Sequence, residues 1–182
     1  MRVRIDPDIA RQNFDRVKDS PALQESAQLF ARGVPVAEML QAMSMSECVL
    51  RAFAGLDSVY PHGKLERGVT EKIILCVSKL HECQFCENAH IDMMAGLGMA
   101  PDVSTEGAHT DRERLAIEWA TAMTKDSNRI PDELASRMRE RFTDAEIVEV
   151  TFMVGLITLL NRFNNALEVR YQGEFKDVTI GR

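Results

Sequence analysis

Residues 70–99 read "TEKIILCVSKLHECQFCENAHIDMMAGLGM", and this stretch decides the fold. Apolar residues follow a helical spacing in and just before its first half, at Val69, Ile73, Ile74, Val77 and Leu80. The apolar face lapses after Leu80, which predicts a turn within residues 79–83. A second helix then opens at the cysteines, runs to about Leu97 and is closed by Gly96 and Gly98. The stretch therefore predicts an antiparallel αα-hairpin.

Two cysteines and two histidines fall within ten positions of this hairpin, "HECQFCENAH" (81–90). Cys83, Cys86 and His90 are spaced by three and then four residues, which places them on one face of a helix. We expect both cysteines in the first turn, where unpaired N–H groups and the helix dipole favour a thiolate. Cysteines of such Cys-x-x-Cys helices can have a lowered pKa. His90 could accept the proton of Cys86 directly or through a water molecule.

An acidic residue precedes the cysteines by twelve positions. In a straight helix, Glu71 would lie about 18 Å from Cys83. In the antiparallel hairpin it returns to a level near His90 to Met94. Glu71 could then orient His90 and stabilise its charged form, giving an order of carboxylate, imidazole and thiol.

The spacing of these four residues resembles the signature of a known family. Glu71, eleven residues, Cys83, two residues, Cys86, three residues and His90 match the alkylhydroperoxidase D-like (AhpD-like) family of the carboxymuconolactone decarboxylase superfamily. The flanking "CVSKLHECQFCENAH" (76–90) strengthens the resemblance, and "LLNRFNNALEV" (159–169) is similar to the closing helix of the family. One position departs from some members: Phe85 stands where they have a histidine, although many relatives carry an aromatic residue there.

The resemblance implies an all-helical fold, assembly into homo-oligomers such as trimers or hexamers, and reduction of small hydroperoxides. Cys86 would be the peroxidatic cysteine and Cys83 the resolving one, cycling between dithiol and disulfide. His90 and Glu71 would form the proton relay. An external dithiol of lipoyl or thioredoxin type would donate the electrons, and neither a cofactor nor a bound metal is expected.

Composition excludes several classes of function. The 182 residues suit one domain over residues 1–182, and the formal net charge is −6. Charges of both signs are mixed along the chain, which argues against a nucleic-acid or membrane-surface footprint. The longest apolar run, "VTFMVGLITLL" (150–160), is too short to span a membrane and predicts a central or covered helix. No secretory signal is visible at the start of the chain, so we expect a cytoplasmic protein.

The rest of the chain has a helical periodicity, which predicts an all-α fold. We expect helices over about 8–19, 21–31 and 35–54, and a loop over 55–68. Further helices are predicted around Leu115, Trp119 and Met123, from Pro131, and from the capping-box pair Thr143 and Glu146 to about Val169. Only the tail after Gly173 alternates weakly with a period of two.

Other interpretations of the short stretch remain open. A structural zinc site could use Cys83, Cys86, His90 and His81, although no second ligand pair is evident in a distant segment. His81 alone is typical of a helix C-terminus. Cys48 and Cys76 fit small buried apolar residues.

The same four site residues would also serve a general thiol–disulfide oxidoreductase. A carboxymuconolactone decarboxylase-like enzyme is a third alternative, disfavoured because that branch typically lacks the cysteine pair. A non-catalytic helical oligomer, clipped by zinc, is a fourth alternative, and a scaffold without catalysis would leave the combination of Cys83, Cys86, His90 and Glu71 unexplained.

Overall fold

The computed structural model describes residues 1–104 and 106–176. Within these ranges every regular element is a helix, which confirms the predicted all-α class. A 3-10 helix spans Pro21–Leu23, and the α-helices are α1 (Pro7–Asp15), α2 (Gln24–Ala31), α3 (Glu38–Ser44), α4 (Glu47–Asp57), α5 (Val59–His62), α6 (Arg67–Leu80), α7 (Gln84–Gly96), α8 (Asp111–Asp126), α9 (Asp132–Arg141) and α10 (Asp144–Leu167). Most of the tail after Gly173 lies outside the described residues.

The contacts within the chain divide it into two compact units. The first comprises Met1–Gly63 and Phe163–Glu174, and the second comprises Lys64–Arg162 with Phe175 and Lys176. The hairpin of residues 70–99 lies wholly in the second unit. A single domain over residues 1–182 stays a prediction.

The first unit is built on α1, α3 and α4, which pack against one another. Its core is apolar and consists mainly of Phe14, Leu23, Leu40, Met43 and Leu50. The side-chain amide of Asn13 donates to the Ser44 carbonyl at 2.8 Å and ties α1 to the end of α3. Burial of these apolar side chains accounts for the helical spacing that the sequence shows over this segment.

The single helix predicted over 35–54 is wrong, because the chain breaks it into α3 and α4. The Ser44 hydroxyl donates to the Leu40 carbonyl at 2.6 Å, and Ser46 then adopts an extended backbone before α4. Both helices bury their apolar faces, so the spacing continues across the break and conceals it. The loop predicted over 55–68 is also partly wrong, since α4 continues to Asp57 and α5 follows.

Helix α6 lies at the centre of the second unit. Ten consecutive residues, from Val69 to Ser78, are buried, and the helix packs against α7 and α8. A helix that is buried on all sides needs neighbours on every face, which makes α6 the element around which this unit is organised. Its polar residues Glu71 and Lys72 are buried with it.

Helix α10 begins at the predicted capping box. The Glu146 carboxylate accepts from the backbone N–H and the hydroxyl of Thr143, both at 2.8 Å. Val150, Met153 and Val154 on this helix are buried, as the apolar run predicts. Val148 and Leu159 are 67% and 53% exposed, so one face of the helix is uncovered within the described part of the chain.

None of the helices in residues 1–104 and 106–176 combines the length and the apolar character needed to cross a lipid bilayer.

Candidate functional site

The turn between α6 and α7 brings the two halves of the site together. Helix α6 ends at Leu80, and Glu82 adopts the left-handed backbone conformation with a φ of 53°. The backbone N–H of Cys83 then donates to the Ser78 carbonyl at 3.0 Å. A left-handed residue after a helix reverses the chain and satisfies a terminal carbonyl. The turn predicted within 79–83 is therefore confirmed.

The two cysteines lie at the start of α7. Cys83 is the N-cap residue, and its sulfur accepts from the backbone N–H of Cys86 at 3.4 Å. The expectation that both cysteines lie in the first turn is thus half wrong: Cys86 does, whereas Cys83 precedes it. The reason is that a thiol sulfur can accept one of the N–H groups that a helix start leaves unpaired.

The cysteine side chains are buried and lie next to each other. Their sulfur atoms are 2.7 Å apart, and neither cysteine is in a disulfide. Cys83 is fully buried and Cys86 is 6% exposed. Because a disulfide bond is about 2.05 Å long, only a small movement separates this pair from one. A two-electron oxidant could therefore convert the two thiols into an intramolecular disulfide, with loss of both thiol protons.

The second half of the site is a carboxylate–imidazole pair. Glu71 Oε2 lies 2.7 Å from His90 Nδ1, which joins the second turn of α6 to α7. Glu71 is fully buried, and the His90 side chain is 16% exposed. A carboxylate at this distance accepts the N–H of Nδ1 and makes Nε2 the basic nitrogen of the neutral ring. The structure thus brings Glu71 to the level of His90, as the hairpin predicts.

An arginine that sequence reasoning missed completes this pair. Arg67 Nε donates to Glu71 Oε1 at 2.7 Å, so the buried carboxylate is held from two sides. The signal was available, because Arg67 and Glu71 have the i, i+4 spacing of neighbours on a helix. The sequence-based prediction leaves Arg67 out because it starts the helix at Val69 and places Arg67 in the loop.

The other candidate cysteines lie elsewhere. Cys76 is buried on α6, as expected, and its sulfur lies 3.3 Å from the Thr121 hydroxyl; burial raises the pKa of its thiol. Cys48 is exposed, so the expectation that it is buried is wrong. It lies on the outer side of α4, whose inner side carries Leu50 and Phe53.

His81 forms the C-cap of α6, which agrees with its expected place at a helix end. It lines a cavity of about 380 Å³ with residues of α8 and α10, among them Met123, Val154 and Arg162. Burial, and then the positive charge of Arg162, lower the pKa of His81. Among the described residues, no three His, Cys, Asp or Glu side chains are grouped so as to hold a metal ion.

Known proteins resemble this chain over part of its sequence and over most of its fold. The sequence matches no protein-family model. It is 36% identical over 64 residues to the uncharacterized protein YnjA of Escherichia coli (strain K12), a match that covers 35% of this chain and 35% of that protein. The chain thus spans about a third of the length of this curated relative.

Two solved structures cover more of the chain. A protein of unknown function from Agrobacterium tumefaciens, described as a candidate antioxidant defence protein AhpD, is 25% identical with a TM-score of 0.66, over 71% of this chain and 94% of that one. An uncharacterized peroxidase-related protein with an AhpD core from Ralstonia eutropha JMP134 is 20% identical with a TM-score of 0.75, over 100% and 97%. The chain therefore has the all-helical fold of these two solved structures.

Proposed function

We propose that this protein is a thiol-dependent hydroperoxide reductase that uses Cys86 and Cys83. The observation that carries the proposal is the juxtaposition in one hairpin of two facing thiols and an imidazole held by a buried carboxylate. Cys86 lies at the positive end of α7, which favours its thiolate, the nucleophilic form. The description of one structural neighbour as a candidate antioxidant defence protein and of another as peroxidase-related agrees with this chemistry.

In the first step, His90 accepts the proton of the Cys86 thiol. The thiolate attacks the terminal oxygen of the hydroperoxide, an S–O bond forms and the O–O bond breaks. The leaving alkoxide takes a proton and departs as the alcohol, while Cys86 becomes a sulfenic acid. Two electrons have then passed from sulfur to the peroxide.

In the second step, Cys83 attacks the sulfur of the Cys86 sulfenic acid. An S–S bond forms, the S–O bond breaks and the oxygen leaves as water with the proton of Cys83. An external dithiol of lipoyl or thioredoxin type then reduces the disulfide by thiol–disulfide exchange and is itself oxidised.

The test of this function is a pair of cysteine substitutions with an exposed cysteine as the control. Cys86→Ser should abolish turnover of an organic hydroperoxide in the presence of a dithiol. Cys83→Ser should react once with peroxide and accumulate a sulfenic acid or a mixed disulfide, which mass spectrometry can locate. Cys48→Ser, at an exposed position, should turn over like the parent.

Two results would overturn the proposal. One is peroxide turnover at the parental rate in both Cys86→Ser and Cys83→Ser. The other is stoichiometric zinc that protects both thiols from peroxide, measured as metal content and thiol count on one sample. The second result would support a structural zinc site. Turnover of protein disulfides but not of peroxide would instead favour the general oxidoreductase.

A further inference from the structure

The carboxylate of Glu71 has no exposed surface, yet it lies between two nitrogen donors. Arg67 Nε and His90 Nδ1 are each 2.7 Å from one of its oxygens. An ionised carboxylate is stable at such a place only when charge and hydrogen bonds compensate its lost solvation. The proposed mechanism uses Glu71 and His90 but gives no part to the arginine.

We propose that Arg67 is a positioning residue that keeps Glu71 ionised and thereby sets the pH range in which Cys86 can lose its proton to His90. This inference rests on the proposed function, because it concerns the same thiol and the same relay. Arg67 touches neither sulfur in the described contacts and acts through Glu71. Its side chain is 31% exposed, while its Nη2 atom is buried.

The effect of Arg67 depends on the charge of the cluster. With Arg67 present, a positive guanidinium balances a negative carboxylate beside a neutral imidazole. Without it, the buried carboxylate must gain a proton, either on Glu71 itself or on His90 as imidazolium. Each alternative removes the base that the thiol of Cys86 needs, since a protonated ring accepts no proton and a neutral carboxyl orients the ring less strongly. We therefore expect the loss of Arg67 to move the deprotonation of Cys86 to higher pH.

Several other charged groups on the helices around Glu71 have partners of their own. Lys72 Nζ donates to the carbonyls of Ala100 and Asp102 at 2.8 and 2.6 Å. Further groups on the packed elements are likewise engaged elsewhere: Glu87 with Lys79, Glu113 with Thr110, Glu149 with the backbone of Lys64 and Leu65, and Arg112 with Glu66 and Glu146. Cys76, on the α8 side of α6, contacts Thr121. Among the arginine and lysine side chains named here, Arg67 is the one with a described bond to Glu71.

The experiment is the pH profile of Cys86 alkylation by iodoacetamide, measured in a Cys48→Ser, Cys83→Ser background and located on Cys86 by mass spectrometry, since the remaining Cys76 is buried. Arg67→Gln should move the midpoint upward by about one pH unit, the size of a lost charge-assisted hydrogen bond. Arg67→Lys should keep most of the parental midpoint because it keeps the charge. Arg51→Gln is the matched control, since it breaks another i, i+4 arginine–glutamate pair of 2.7 Å, far from Cys83 and Cys86 in sequence.

A midpoint in Arg67→Gln that coincides with the parent would overturn the inference, and so would equal shifts in Arg67→Gln and Arg67→Lys. The same Arg67→Gln change in a Glu71→Gln background should leave the midpoint unmoved, because no carboxylate remains to be balanced. A shift of equal size in both backgrounds would also overturn it.

The same set of variants also distinguishes a loss of folding from a change in the midpoint. Should Arg67→Gln not fold, Arg67→Met replaces it and keeps the packing of the stem. If neither single variant folds, recovery of folding in the Glu71→Gln background supports the inference, and continued failure there overturns it. Alkylation involves no peroxide, so a protein that shows the predicted shifts but does not reduce peroxide would refute the proposed function alone.

Discussion

Burial of the Glu71 carboxylate costs solvation free energy that its two hydrogen bonds must offset. Both bonds are 2.7 Å long and join charged or chargeable partners, which are the strongest kind of hydrogen bond in proteins. The pattern of four spaced residues predicts the His90 bond. It does not predict the Arg67 bond, because that requires knowing where α6 begins.

At this scale we predict the effect of Glu71→Gln. The amide has the size of the carboxylate but carries no charge, so it neither orients the neutral His90 ring as firmly nor stabilises its protonated form. The rate of Cys86 oxidation by peroxide should fall by about tenfold or more, the scale of acid–base assistance. Stopped-flow measurement of that step checks it. Glu87→Gln on α7 is the control, and an equal loss there would contradict a specific role for Glu71.

At the scale of single helices, the sequence pattern predicts some helix boundaries and misses others. Thr110 and Glu113 form a complete capping box at the start of α8, and α9 begins directly after Pro131. The break between α3 and α4 is invisible to periodicity, because both pieces bury the same kind of face. Conversely, α5 lies where glycines and a proline favour a loop.

The start of α10 gives a prediction about pH. Hydrogen bonds from Thr143 and then from Arg112 lower the pKa of Glu146 to about 2. Its stabilising effect is therefore complete above the ordinary pKa of 4.5 and is lost as the pH falls towards 2. Glu146→Gln should lower the melting temperature most at neutral pH and flatten its dependence on pH between these values. Glu140→Gln, on an exposed side chain, is the control, and an equal flattening there would contradict the prediction.

On the scale of the whole molecule, the exposed face of α10 bears on assembly. Val148 and Leu159 are eleven residues apart, which is three helical turns, so they share one side of the helix. Large apolar side chains with this exposure on a shared face are typical of surfaces that bind another protein. We propose that this face lies in a homo-oligomer of trimer or hexamer type.

The corresponding prediction is that sedimentation at micromolar concentration shows a species larger than the monomer. Leu159→Glu should shift the distribution towards the monomer, because a carboxylate placed in an apolar interface loses its solvation. Leu56→Glu, which introduces the same charge at another exposed leucine in α4, is the control. A parent that sediments as a monomer would contradict the proposal.

The sequence alone determined the helical class, the turn after Leu80 and the level at which Glu71 meets His90, because helical spacing and an antiparallel return are local consequences of the chain. Tertiary structure decided what local patterns do not encode. The complete burial of Glu71 depends on the helices packed around α6, and the exposure of Cys48 depends on which side of α4 faces the core. Burial is a property of neighbours distant in sequence, and it turns the Arg67 bond from a surface pair into the support of a buried charge.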